Sequence, residues 1–367
     1  MEEDGAAFFE QAAAVAFTGL IFVAICVALK DRGARACICA CAFVASLVTT
    51  QLAVSVIAKK HHYKYPALLS TLHFSAVSVA TYLYFMKTGE TRKWYPSSIS
   101  ASRYLKTVVP VAVSTPISVV FNNTAMEYAG AGLCAIIGTL APVMTAILAS
   151  LCGRKLAPLS WAGVFLAFMG GVVIGTKEIA SVEGGGGVAL GIIYAFLSLF
   201  GRCGKAVIMD FMIAPKAYGG DAAADPPMSV PQTLALCFTA SAVVSFMYAL
   251  ATESLTGAIS ELTPFLAVMI LISALSALAL NVLGATVLKE LGASAQQIVG
   301  KLNTICIAAI SVAFMGEHLP AMVVFGTMMV LGGVAVFERG EQKAKEEASK
   351  ALVAANDDED ASDAPQE

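Results

Sequence analysis

Charge is scarce in this chain. Only 13% of its 367 residues are Asp, Glu, Lys or Arg, about half of the roughly 25% a soluble domain carries. With 58% hydrophobic residues and a mean hydropathy of +0.77, the chain cannot cover a water-facing particle, and intrinsic disorder is excluded with it. Histidine is scarcer still. His61, His62, His73 and His318 are scattered, which supports neither a metal cluster nor a catalytic triad. A phosphate loop ending in Lys-Ser/Thr is missing, because the Gly184–Gly187 run has no lysine after it. The first ten residues, MEEDGAAFFE, lack both the basic region of a signal peptide and the Arg/Ser-rich composition of a transit peptide. The last four are not a KDEL-type address. The chain is not expected to be a hydrolase or an NTP-driven pump, and no cofactor or metal is implied.

What the chain has is long apolar runs. A membrane-crossing helix needs about 20 apolar residues, and such runs lie near 11–29, 37–58, 66–86, 106–124, 130–151, 158–176, 187–212, 231–251, 264–288, 295–314 and 319–337. The expected fold is an all-α polytopic membrane protein. Nine cysteines sit mostly inside these runs. Cys37, Cys39 and Cys41 alternate, so on a helix they point about 200° apart and cannot share one metal. They read as small apolar fillers.

The net charge of −3 conceals a division. Residues 1–10 hold four acids and no base, and the stretch from Glu338 onward holds ten acids against four bases. The body between is therefore positive, which suits either an anionic solute or basic cytoplasmic loops. Ten spans after a cytoplasmic segment 30–36 put 16 bases on the cytoplasmic side: Lys30, Arg32, Arg35, the 87–106 loop, Arg154, Lys155, Lys216, Lys289 and the tail. Lys59, Lys60, Lys64 and Lys177 fall opposite. Topology thus explains most of the surplus. In the tail, residues 342–352 favour helix, and NDDEDASDAPQE beyond them is too acidic to fold alone.

The two halves resemble each other. At an offset of 163 residues Glu127 falls on Glu290, Gly153 on Gly316, Leu156 on Leu319, Gly163 on Gly326 and Gly170 on Gly333. A duplicated unit of five spans enters the membrane upside down the second time, with the substrate site at the interface of the repeats. The expected organisation is an N-terminal segment with an extra helix (1–36), two five-helix repeats (37–176 and 187–337) and a cytosolic tail (338–367).

Three bases remain inside spans: Arg202 and Lys205 in LFGRCGKAVIMD, and Lys301 in IVGKLNTICIA. A membrane-embedded base costs several kcal/mol unless it faces a polar cavity, so each is a functional candidate. Arg202 and Lys205 share a helix face. Either could instead pair with Asp210 or snorkel to the interface. Asn122, Asn123, Asn281 and Asn303 could read a base or sugar hydroxyls, or join helices at about 1 kcal/mol each. His73 reads as a packed interior histidine. The glycine pairs Gly170-Gly171 and Gly332-Gly333 suit close helix packing.

Several stretches are similar to the nucleotide-sugar and triose-phosphate transporter branch of the drug/metabolite transporter superfamily. AKKHHYKYPALLSTLHF (58–74) resembles that family's first loop, an Asn-Lys pair followed by an aromatic-Pro step, with Lys60 present and the asparagine absent. VFNNTAMEYAGAGLCAIIGTLAPVMTAIL (120–148) resembles its third and fourth spans, and residues 298–337 resemble the ninth and tenth. Gly300-Lys301-Leu302-Asn303-Thr304 resembles the Gly-Ala-Leu-Asn-Lys motif of GDP-mannose transporters, with the lysine three places early. The guanine-reading Phe-Tyr-Asn-Asn motif is absent from the seventh span, where CFTASAVVSFMYAL stands. A ninth-span lysine also fits UDP-sugar relatives.

The resemblance implies a ten-helix 5+5 inverted repeat that exchanges a cytosolic nucleotide-sugar (GDP-mannose or a UDP-sugar) for a luminal nucleoside monophosphate. It places the protein in the Golgi or ER membrane, leaves room for a homodimer and implies no nucleic acid. Arg202, Lys205 and Lys301 would hold phosphates, with Asn303, Asn281, Asn122, Asn123 and Lys60 around them. A plastid-type phosphate translocator would want a transit peptide, and a proton-coupled exporter would want buried carboxylates. A receptor or scaffold would show no saturable flux.

Overall fold

A computed structural model describes residues 19–57, 63–179, 188–219, 225–303, 306 and 321–362. Among them every regular element is helical. In chain order the helices are α1 (Gly19–Ala28), α2 (Ala34–Ser55), α3 (Pro66–Thr88), α4 (Val109–Gly138), α5 (Ala141–Leu151), α6 (Pro158–Ile179) and α7 (Val188–Ile213). Then follow α8 (Val230–Thr252), α9 (Leu255–Ser260), α10 (Pro264–Leu291), α11 (Ala293–Gly300) and α12 (Ala321–Ser362).

Local chemistry sets the ends. Proline opens α3, α8 and α10, where its missing N–H would have no helical partner. Ser229 and Thr263 accept a bond from the backbone N–H three residues on, at the starts of α8 and α10, which satisfies one orphan donor of each helix. Gly89 ends α3 in the left-handed conformation.

Among the described residues six stretches are long and apolar enough to cross a membrane: Ala34–Val54, Pro66–Thr88, Ala101–Asn122, Ala189–Ile213, Val230–Thr252 and Pro264–Leu291. Their outer faces are apolar, with Leu83 57%, Met247 62% and Leu271 58% exposed. Small polar groups meet between helices instead: Thr71 donates to Ser245 at 3.1 Å, Ser78 pairs with Thr239 at 2.6 Å, and Thr50 pairs with Ser276 at 2.8 Å. Apolar outside and hydrogen-bonded inside is the arrangement of a helical bundle in lipid. The chain has the build of a helical membrane protein.

The two ends of the bundle differ in charge. One end gathers Arg32 with Glu338 (2.6 Å), Arg35 with Glu290 (3.8 Å), Arg103 with Asp225 (3.5 Å) and Arg154 with Asp210. At the other end Glu253 accepts the N–H groups of Ala67 and Leu68 at 2.7 and 2.9 Å, and Tyr65 donates to Glu261 at 3.0 Å.

Two expectations need correction. The expected gap between spans at 125–129 is helical, because AMEYA contains no residue that stops a helix and α4 continues to Gly138. The break falls at Thr139-Leu140 instead, just before Pro142. The acidic tail, expected not to fold alone, is helical to Ser362. It extends α12, and adding residues to an existing helix avoids the cost of nucleating one. The candidate span 11–29 is described only from Gly19, and half of 295–314 lies outside the described residues.

Helices α6 and α12 cross at glycines. A Cβ on Gly163 would lie 2.7 Å from the Gly333 carbonyl oxygen, and one on Gly170 would lie 2.6 Å from that of Gly326. A Cβ on Gly333 would likewise lie 2.7 Å from the Ala167 nitrogen, and one on Gly170 lies 2.8 Å from the Val330 nitrogen. Backbones approach this closely only where side chains are missing.

Candidate functional site

Pro142 creates the central feature. In a continuing helix the N–H of residue 142 would bond to the Gly138 carbonyl, but proline has no N–H. The Gly138 oxygen is left at the C-terminal, negative end of α4, and the Lys301 ammonium donates to it. The Arg202 guanidinium reaches the same place. A Cβ on Gly138 would stand 3.7 Å from Lys301 Nζ and 4.0 Å from an Arg202 terminal nitrogen. Two cations from α7 and the end of α11 therefore lie within about 8 Å of one another, close enough to repel strongly in a medium of low dielectric. Among the described residues no carboxylate is paired with either. Arg202 remains exposed, whereas Lys301 is half-buried.

Lys205 goes elsewhere. Its ammonium lies over the Phe238 ring of α8, 5.5 Å from the centroid, a cation–π contact. It stays within electrostatic range of Arg202. The expected alternative in which Arg202 or Lys205 pairs with Asp210 is overturned. The Asp210 carboxylate is 1% exposed and takes Arg154, which arrives from the α5–α6 loop. The same oxygen accepts from the Tyr218 hydroxyl at 2.7 Å and the Ala293 backbone N–H at 3.1 Å. One carboxylate thus ties α7, the α5–α6 loop, the 215–218 turn and the start of α11 together. Burial, and after it the Asp210 charge, raises the Tyr218 hydroxyl above the ordinary phenol range. Gly292, at φ +87° where Arg154 leaves no room for a side chain, completes this knot.

The amides divide as well. Asn303 donates to the Gln51 side chain of α2 at 2.8 Å, and its own carbonyl oxygen is buried with no partner among the described residues. Asn281 donates to the Ala277 carbonyl of its own helix, so the structure does not bring it to the cations. Asn122 is half-buried in α4. The Asn123 side chain and all of Lys60 lie outside the described residues. His73 meets Ser273 at 3.0 Å between α3 and α10, a packing contact.

Two cavities of about 340 Å³ open at the two ends of the bundle, one lined by Lys30 and Arg339 and the other by Lys64 and Glu253. Neither is lined by Arg202, Lys205 or Lys301.

Three residues were missed in the sequence: Gly138, Gln51 and Arg154. Gly138 had a signal, since it falls on Lys301 at the repeat offset of 163.

No protein-family model matches the chain, and no curated protein matches it in sequence. Among solved structures, one crystal structure of a protein superposes with a TM-score of 0.62 at 14% identity, over 82% of this chain and 96% of its own. That likeness shows a shared fold.

Proposed function

We propose that the chain is an inverted-repeat antiporter that exchanges a cytosolic nucleotide-sugar for a luminal nucleoside monophosphate across the Golgi or ER membrane. The observation that carries the reading is the convergence of Arg202 and Lys301 beside Gly138, Lys301 on its orphaned carbonyl, with no acid paired to either among the described residues. A phosphate offers the charge-assisted bonds that a carbonyl gives only weakly. Substrate would displace the Gly138 oxygen and draw both cations onto itself. Exchange follows because an anion that neutralises the pair eases reorientation, whereas the empty site keeps its charge.

Contacts between equivalent positions support the repeat. Gly138 and Lys301 stand 163 residues apart and touch. The Gly163–Gly333 contact maps onto the Gly170–Gly326 contact under the same offset. An element that meets its own copy in this way lies near a two-fold axis, as inverted repeats require.

The test is uptake of labelled nucleotide-sugars into liposomes holding the protein and preloaded with GMP, UMP, CMP or inorganic phosphate. Lys301→Ala is expected to lose at least about 90% of exchange, the equivalent of one transition-state interaction of about 1.4 kcal/mol, while remaining monodisperse in detergent. Wild-type exchange in that variant would refute the assignment. Stimulation by phosphate alone would point to a phosphate translocator, and no flux with any pair would point to a receptor or scaffold.

A further inference from the structure

We propose that the groove between α1 and α12 is a binding site for an anionic phospholipid. The groove, about 340 Å³ in volume, is divided along its length. Val27, Leu331 and Ala335 form its apolar part, and Lys30, Arg339 and Gln342 stand at its other end. The two helices run toward the same end of the bundle, and the Arg32–Glu338 ion pair at 2.6 Å fixes their level. The apolar part therefore lies on the hydrocarbon side of that pair and the polar part on the water side. Val27 is 63% exposed, so the apolar part is open to lipid rather than sealed inside the bundle.

Charge selects the headgroup. The Glu338 charge in the wall is matched by Arg32. Among the described residues, Lys30 and Arg339 make no ion pair and both are exposed. Against the single acid Asp31 they leave the rim positive. A rim of two cations at the bilayer boundary over an apolar slot matches a phosphate headgroup with its acyl chain attached. A free anion would leave the slot unfilled, and a zwitterionic lipid would leave the rim charge unmatched. The site is separate from Arg202 and Lys301, so it stands whether or not the transport reading does.

The test uses full-length protein in detergent with fluorescently labelled phosphatidylserine, followed by anisotropy. Lys30→Gln with Arg339→Gln is expected to weaken binding about 30-fold, from about 1 kcal/mol for each cation at a membrane surface. Ala335→Phe, which keeps both charges and fills the slot, is expected to abolish saturable binding. Unlabelled phosphatidylserine should compete, and phosphatidylcholine should compete far less. The proposal is overturned if the double variant binds as wild type, if Ala335→Phe has no effect, if phosphatidylcholine competes equally, or if inorganic phosphate competes as well as the lipid. Lys30 and Arg339 are exposed, so their replacement leaves the fold intact, and melting temperature without lipid checks this.

Discussion

Removing the charge of Asp210 should destabilise the ion-paired end of the bundle without touching the central cations. Asn at 210 keeps the size of the side chain and an oxygen that can still accept from Tyr218 and the Ala293 N–H. What it loses is the counter-charge to Arg154, which is only 13% exposed. Stranding one partner of a buried ion pair costs about 3–5 kcal/mol, a large share of the 5–15 kcal/mol that holds a typical protein folded. Adding Arg154→Met should recover much of the loss, because removing both charges costs far less than removing one. The expected coupling in the double-mutant cycle is about 2 kcal/mol or more. Unfolding by titration with SDS in mixed micelles, followed by fluorescence of Trp94 and Trp161, measures each corner of the cycle. The reasoning fails if Asp210→Asn lies within about 1 kcal/mol of wild type, the range of exposed pairs, or if the two changes simply add.

Two other expectations follow from the backbone. Pro142→Ala supplies the N–H that the Gly138 carbonyl lacks, so Lys301→Ala should destabilise less in that background, by about 1.5 kcal/mol for one charge-assisted bond; equal costs in both backgrounds would show that Lys301 does not cap α4. Gly163→Leu drives a side chain into the α12 backbone and should cost about 1–3 kcal/mol as overpacking, read by the same titration, whereas Gly219→Leu, with nothing near its Cβ, suffers only its left-handed backbone strain.

The long helices were legible because in lipid an apolar run of the right length has few alternatives. The run read at 66–86 is the helix Pro66–Thr88, and that at 231–251 is Val230–Thr252. Polar partnerships were not legible, since a hydrogen bond between helices leaves no periodic trace in either one. Asp210 looked like a partner for Lys205, five residues before it, because only neighbours along the chain can be judged from sequence. The fold instead delivers Arg154 from 56 residues away. Of the expected cations, the structure brings Arg202 and Lys301 together and turns Lys205 toward Phe238. Three residues along a helix fixes a face, but a long side chain chooses among neighbours on that face.

Proline at 142 links the fold to the proposed chemistry. A helix end inside a membrane must find a donor for its last carbonyls, and here one donor is a cation rather than a side-chain amide or hydroxyl. A neutral donor would have satisfied Gly138 without leaving a charge to stabilise. Lysine brings a charge that one carbonyl cannot neutralise, and Arg202 adds a second beside it. Repulsion between the two is a standing cost that a bound anion of the proposed kind would relieve. The same carbonyl that holds Lys301 in place while the site is empty is a weaker acceptor than a phosphate oxygen. Under the proposed exchange, this arrangement would keep the lysine ordered for an anion without competing strongly against it, as capture and release of a phosphate would require.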